Sequence, residues 1–211
     1  MMMNKQTEKQ WKNKKSAASK STGSFFKEVL NILFSVAIAY ILFLLIRAYL
    51  FFPFQVVGPS MYPTLQDGDR LILNRLGSID RFDVVVFPAP DQEGAKENKE
   101  YVKRIIGMPG DEIVYLDDLL YVNGEAVEEH YLESLQAEKE DSTLTPDFTL
   151  MDIPESDSYQ VPEGMYFVMG DNREASKDSR VFGFVSEELI EGTTSLRIWP
   201  LNRAGFLEKN E

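Results

Sequence analysis

The sequence predicts a mainly β protein, an antiparallel β-sheet domain over residues 51–211 preceded by one N-terminal transmembrane helix. An uncharged run from Val29 to Ile46 is long enough to cross a bilayer. After it come short apolar segments rich in β-branched and aromatic residues, each bounded by Gly, Pro, Asp or Asn. An Asn-Gly pair at 123–124 sits between two apolar runs, the strongest short-range hairpin signal a sequence carries. At 211 residues and 44% hydrophobic, the chain can hold one domain with a substantial core and some accessories.

Residues 1–28 read as a basic cytoplasmic tail. Up to about Ser24 they are largely Lys, Ser, Asn and Gln with one Trp, too little apolar surface to drive folding. Residues 29–50 follow as the membrane helix. A cleaved leader is the competing reading, but its apolar region would be too long, and Ala48-Tyr49-Leu50-Phe51-Phe52-Pro53 puts bulky residues where a small-x-small cleavage site belongs. A soluble core helix is seldom apolar on every side over such a length. The run is therefore read as an uncleaved signal anchor. Lys5, Lys9, Lys12, Lys14, Lys15, Lys20 and Lys27 precede it and are expected to stay in the cytoplasm, which leaves residues 51–211 extracytoplasmic.

Charge narrows the partners. Residues 1–50 carry 8 Lys and Arg against 2 Asp and Glu, a formal +6, so the remainder carries −18 of the chain's net −12. A domain this acidic is not built to bind nucleic acid or anionic lipid by charge. Aromatic residues directly after the span, Phe51, Phe52 and Phe54, suit the membrane interface instead. The absence of cysteine excludes thiolate chemistry and is compatible with an outside location that needs no disulfides.

Along the outer domain, strands are expected at Leu71–Leu73, Val84–Phe87, Tyr101–Ile106, Ile113–Tyr115 and Met165–Met169, with a hairpin over 119–127. A weak helical period runs from Glu128 to Ala137. Residues 125–157 hold eleven acidic residues and one basic one, Lys139, with no EF-hand-like spacing. The segment is expected to be a solvated acidic insertion lying away from the reactive groups. Gly107-Met108-Pro109-Gly110 lacks the Gly-Lys-Ser/Thr ending of a phosphate loop, and no metal or cofactor is expected.

With cysteine absent and the single histidine, His130, in that acidic stretch without a recognisable serine or carboxylate partner motif, covalent catalysis would fall to serine with lysine. Ser60 stands in Gly58-Pro59-Ser60-Met61-Tyr62-Pro63, a stiff frame in which proline fixes φ and glycine is conformationally free. Such a frame can present the hydroxyl and aim a backbone N–H at a developing oxyanion. Lys103 stands in a strand whose alternation puts it on one face with Tyr101 and Ile105. To act as a base near neutrality it must lose about 3 units from about 10.4, a differential cost of roughly 4 kcal/mol that burial can supply. A third run, Gly170-Asp171-Asn172-Arg173-Glu174-Ala175-Ser176-Lys177-Asp178-Ser179-Arg180, reads either as an ion-paired polar turn or as a wall that gives a neutral lysine its hydroxyl partner.

Taken together, the serine run, Gly68-Asp69, the Lys103-Arg104 to Gly107-Met108-Pro109-Gly110-Asp111 run and the Gly-Asp-Asn to Ser-Arg run resemble, in order over 54–183, the type I (leader) signal peptidases. The likeness is to the short single-span form typical of Gram-positive bacteria, in its lysine branch. The resemblance implies a β-sheet catalytic domain of the signal-peptidase type, with Ser60 as nucleophile, Lys103 as general base, Ser176 orienting the lysine, and Asp178 and Arg180 in support. It implies substrate-pocket walls at Phe54, Val56, Met61, Leu65, Tyr101 and Val102. Where some relatives have a serine two residues before the nucleophile, this chain has Gly58, so the oxyanion would rely on backbone N–H groups.

The implied activity is removal of signal peptides from exported preproteins after small residues, at the outer face of the cytoplasmic membrane, with membrane lipid and the export translocon as partners. Two alternatives keep to the same residues or drop them: a peptidase dedicated to one surface or pilin-type substrate, and an inert membrane-anchored homologue. The second would be expected to have lost Ser60 or Lys103, and both are present.

Overall fold

The structure is a computed structural model that describes residues 25–44, 51–90, 99–138 and 143–207. The chain divides into two compact units at about Ala48. In the first, helix α1 (Phe25–Leu44) is apolar enough and, at 20 residues, about 30 Å, long enough to span a bilayer. It begins four residues ahead of the expected start and takes in Lys27 and Glu28. Its side chains are exposed throughout. The expected tail up to Ser24, its lysines other than Lys27, and residues 45–50 of the expected anchor lie outside the described residues.

The second unit is mostly antiparallel sheet, as expected. Its larger sheet runs in the order β1 (Phe51–Gln55), β2 (Arg70–Asn74), β11 (Gly192–Trp199), β3 (Val84–Pro88), β4 (Glu100–Gly107), β9 (Met165–Met169), β10 (Val185–Ser186), with β12 (Gly205–Phe206) paired to β11. The smaller sheet is β7 (Glu125–Val127), β6 (Leu119–Val122), β5 (Ile113–Leu116), β8 (Phe148–Thr149). Strands β3 and β4 are buried on successive positions because both faces are covered. Val84, Val86 and Val102 join Val56, Met61, Leu65, Leu71 and Leu73 in one core cluster, while Val85, Phe87 and Ile105 join Tyr166, Val168 and Val185 in another.

The Asn123-Gly124 hairpin forms between β6 and β7, with both residues at positive φ as a two-residue turn of the primed type requires. Asp117 and Asp118 make the same turn between β5 and β6, a pair that tolerates the left-handed region less readily than Asn-Gly. The weak helical period becomes a 3₁₀ turn, His130–Leu132, and helix α2 (Glu133–Glu138).

The acidic segment departs from expectation. Over 125–157, Tyr131, Leu132, Leu135, Leu144, Leu150 and Ile153 are buried and belong to the third core cluster, with Ile106, Ile113, Tyr115, Leu120, Phe167 and Met169. Glu129 is buried as well. The segment is therefore part of the core and not a solvated insertion; residues 139–142 within it lie outside the described residues. Apolar residues spaced among the acids pin it down, while most of the carboxylates point outward.

Candidate active site

Ser60 sits in the β1–β2 connection. Gly58 takes φ +88°, and its N–H donates to Asp67 Oδ1 at 2.8 Å; Tyr62 N–H donates to Pro59 O at 3.0 Å. The turn is clamped from across the sheet by Asn172, whose N–H donates to Ser60 O and whose side-chain amide donates to Pro59 O, each at 3.1 Å. The hydroxyl is left half-buried at the edge of a cleft.

Lys103 reaches that hydroxyl from β4, where it pairs with Val85 on β3. Its Nζ lies 2.8 Å from Ser60 Oγ and donates to Val102 O at 3.0 Å. The residue is 2% exposed. Burial lowers its pKa from 10.5 to about 8, against the attraction of Asp178 and Asp171. At pH 7 roughly a tenth of the amines are then neutral, against fewer than one in a thousand for a free lysine.

The loop over 170–180 closes the site from behind. Gly170 leaves room where a side chain could not fit, since a Cβ there would lie 2.2 Å from Ser176 Oγ and 2.4 Å from Ser60 O. Asp178 caps helix α3 (Ser179–Phe182), accepts the Gly170 N–H at 3.1 Å and is held by Arg180 Nε and Nη2, each at 2.8 Å. Asp171 pairs with Arg104, the residue after Lys103, through Nε at 2.9 Å and Nη2 at 2.6 Å. Both members are 1% exposed at the side chain. Ser176 comes close to the Ser60 backbone through Gly170, but its Oγ is buried with no hydrogen-bond partner, so the expected bond to the lysine is not made in this arrangement.

Beside Ser60 and Lys103 runs a cleft of about 530 Å³, in the range of a small-ligand site. Phe54, Val56, Tyr101 and Val102 line it, together with Ser60 and Lys103. Met61 and Leu65 do not line it: at 1% and 0% exposure they lie in the apolar cluster behind Val56 and Val102, and support the wall without forming it. Ala175 and Lys177 of the third run also border the cleft, as do Gln55, Val57, Lys99 and Glu100, which nothing in their local sequence marks. His130 is exposed, bonded to Glu133, and does not border this cleft. Among the described residues no group of His, Cys, Asp and Glu is placed to hold a metal ion.

The arrangement brings a hydroxyl, an amine that is in part neutral near pH 7, and an apolar groove into one place. That combination suits acyl transfer on a peptide with apolar side chains. The family model described as signal peptidase, peptidase S26, matches residues 29–199. Signal peptidase IB of Staphylococcus aureus strain COL is 40% identical over 182 residues, 83% of this chain and 92% of that protein. Signal peptidase I of Bacillus caldolyticus is 45% identical over 165 residues, 76% and 86% respectively. Among solved structures, a signal peptidase I from Enterococcus faecalis V583 superposes with a TM-score of 0.50 at 43% identity, covering 56% of this chain and 97% of that one.

Proposed function

Because the chain belongs to the signal peptidase family, peptidase S26, whose substrates are preproteins bearing signal peptides, we propose that its cleft performs this hydrolysis with Ser60 as nucleophile and Lys103 as general base. The observation that carries the reading is the 2.8 Å approach of Nζ to Oγ by a lysine whose pKa burial has brought to about 8. Neutral Lys103 takes the Ser60 proton as Oγ attacks the scissile carbonyl carbon. The oxyanion that forms is met by backbone N–H groups, that of Ser60 among them, since Gly58 has no side chain to offer. The C–N bond then breaks as the lysine ammonium returns its proton to the leaving amine. Water gives a proton to Lys103 as it attacks the ester carbon; the C–Oγ bond then breaks, the lysine ammonium returns that proton to Ser60 Oγ, and the carboxylate end of the signal peptide is released.

Phe54, Val56, Tyr101 and Val102, the apolar wall of the cleft, receive the small side chains one and three positions before the cut. Asp178 and Arg180 keep the 170–180 loop in place, and Ser176 orients the lysine once substrate fills the cleft. Residues 29–50 anchor the chain in the cytoplasmic membrane, residues 1–28 stay inside, and residues 51–211 work outside, against membrane lipid and beside the export translocon that delivers the substrates. The test is cleavage of one preprotein by the wild type, Ser60→Ala and Lys103→Ala. Each single variant should fall close to background while staying folded, and the double variant should lose little more, because groups acting as a unit are not additive. Substantial cleavage by either single variant defeats the assignment.

A further inference from the structure

Beneath the 170–180 loop lies a buried polar cluster that the chemistry above does not use. Glu129 comes from the acid-rich segment after β7; Arg173 follows Asp171 and Asn172 in the loop. The Arg173 side chain turns inward and is 0% exposed, with Glu129 at 4%. Arg173 Nη2 donates to Glu129 Oε1 at 2.5 Å and Nη1 to Oε2 at 3.2 Å. Nη1 also donates to Tyr115 Oη and Thr145 Oγ1, each at 3.0 Å. The Tyr115 and Tyr131 hydroxyls donate to the same Glu129 oxygen, at 2.9 and 2.5 Å.

Two lines of contact lead from this cluster to the dyad. Arg173 Nε donates to Gly170 O at 3.2 Å, and the Arg173 carbonyl accepts from Arg180 Nη2 at 2.7 Å, the nitrogen that also holds Asp178. Between them Asn172 clamps the Ser60 turn. Separately, the Tyr131 ring centroid lies 3.8 Å from the guanidinium carbon of Arg104, which pairs with Asp171 next to Lys103. Taking an arginine and a glutamate wholly out of water costs about what their attraction returns, so stability alone is a poor account of such a pair. What it does supply is geometry, through a forked donor with nearly every N–H committed.

We propose that Glu129 is a positioning residue for the cleavage reaction: by anchoring Arg173 it fixes the loop from Gly170 to Arg180 against Ser60 and Lys103. The inference rests on the Ser60–Lys103 reading. Removing the anchor lets the Ser60 clamp and Asp178 drift, and a misplacement of about 1 Å can cost on the order of a hundredfold in rate. Most of the cleft wall comes from residues 54–57 and 99–102, so substrate binding changes little.

The experiment compares kcat and KM on one preprotein, with thermal melts, for the full chain in detergent and for Glu129→Gln, the paired Glu129→Met/Arg173→Met and Ser60→Ala. Glu129→Gln should lower kcat roughly 10- to 100-fold with KM within about threefold. The paired variant leaves no unpaired buried charge and should melt closer to the wild type than Glu129→Gln does, yet its kcat should stay as low as that of Glu129→Gln. Wild-type kcat in folded Glu129→Gln, or a kcat that recovers with the melting temperature in the paired variant, overturns the proposal. Should Glu129→Gln fail to fold, the paired variant decides alone. Active Ser60→Ala would instead defeat the underlying reading, and the inference with it.

Discussion

Burying Lys103 beside Val85, Val102 and Ile105 favours the neutral amine, and by the same act weakens the fold whenever that amine is charged. The activity consequence is direct: cleavage should rise with pH as the lysine loses its proton, with the midpoint of the kcat/KM limb near 8 rather than near 10.5. A limb centred above 10 would remove the lysine from the mechanism. For stability the sign is opposite in sense to that of a partnered lysine. The folded pKa lies below the unfolded one, so between about 8 and 10.5 the unfolded chain binds more protons, and stability rises with pH across that window. Below 8 the penalty stands in full, on the order of 3 kcal/mol. Lys103→Met should therefore raise the melting temperature at pH 7 while abolishing cleavage, with the advantage over wild type shrinking as the pH climbs past 8. An unchanged or lowered melting temperature at pH 7 would argue that the site is wetter than its exposure indicates.

Among the elements, those with apolar residues in sequence register were legible before the structure was: β2, β3, β4, β5 and β9 fall where β-branched and aromatic runs stand, and the β6–β7 turn falls at Asn-Gly. Strand β11 was not, because Gly192-Thr193-Thr194-Ser195-Leu196-Arg197-Ile198-Trp199 mixes polar and apolar residues and carries register shifts at Thr194/Leu196 and Arg197/Trp199 that break the period. In the site, Ser60, Lys103 and the third run could be found from their local frames. The Glu129–Arg173 pair could not, since its members stand 44 residues apart and a carboxylate among ten others looks like surface charge. The acid-rich segment was misread for the same reason: its net charge hid Leu132, Leu150 and Ile153, which are buried at 1%, 0% and 5% exposure. Leu150→Ala should accordingly cost about 2–5 kcal/mol in a denaturant unfolding titration. A loss below about 0.5 kcal/mol, the usual surface value, would restore the reading of this segment as a dispensable loop.

For the molecule as a whole, the absence of any native cysteine makes the proposed topology simple to test. Tyr159 is 57% exposed in the second unit, so under the proposed orientation Tyr159→Cys should react with a membrane-impermeant maleimide added to intact cells. Labelling that needs prior lysis would reverse the orientation. In the larger sheet, the last long strand made, β11, lies between β2 and β3, with pairings to both. Until Gly192–Trp199 has left the ribosome, the β1–β2 pair that carries the Ser60 turn and the β3–β4 pair that carries Lys103 have no strand to join them, and each presents a raw edge. The proposed nucleophile and base thus stand on half-sheets that no strand joins until late in translation, and the chain is expected to be inert toward preproteins until then. Chains arrested before Gly192 should be protease-sensitive and unable to cleave, and those arrested after the strand has cleared the exit tunnel should resist protease and cleave as the finished protein does.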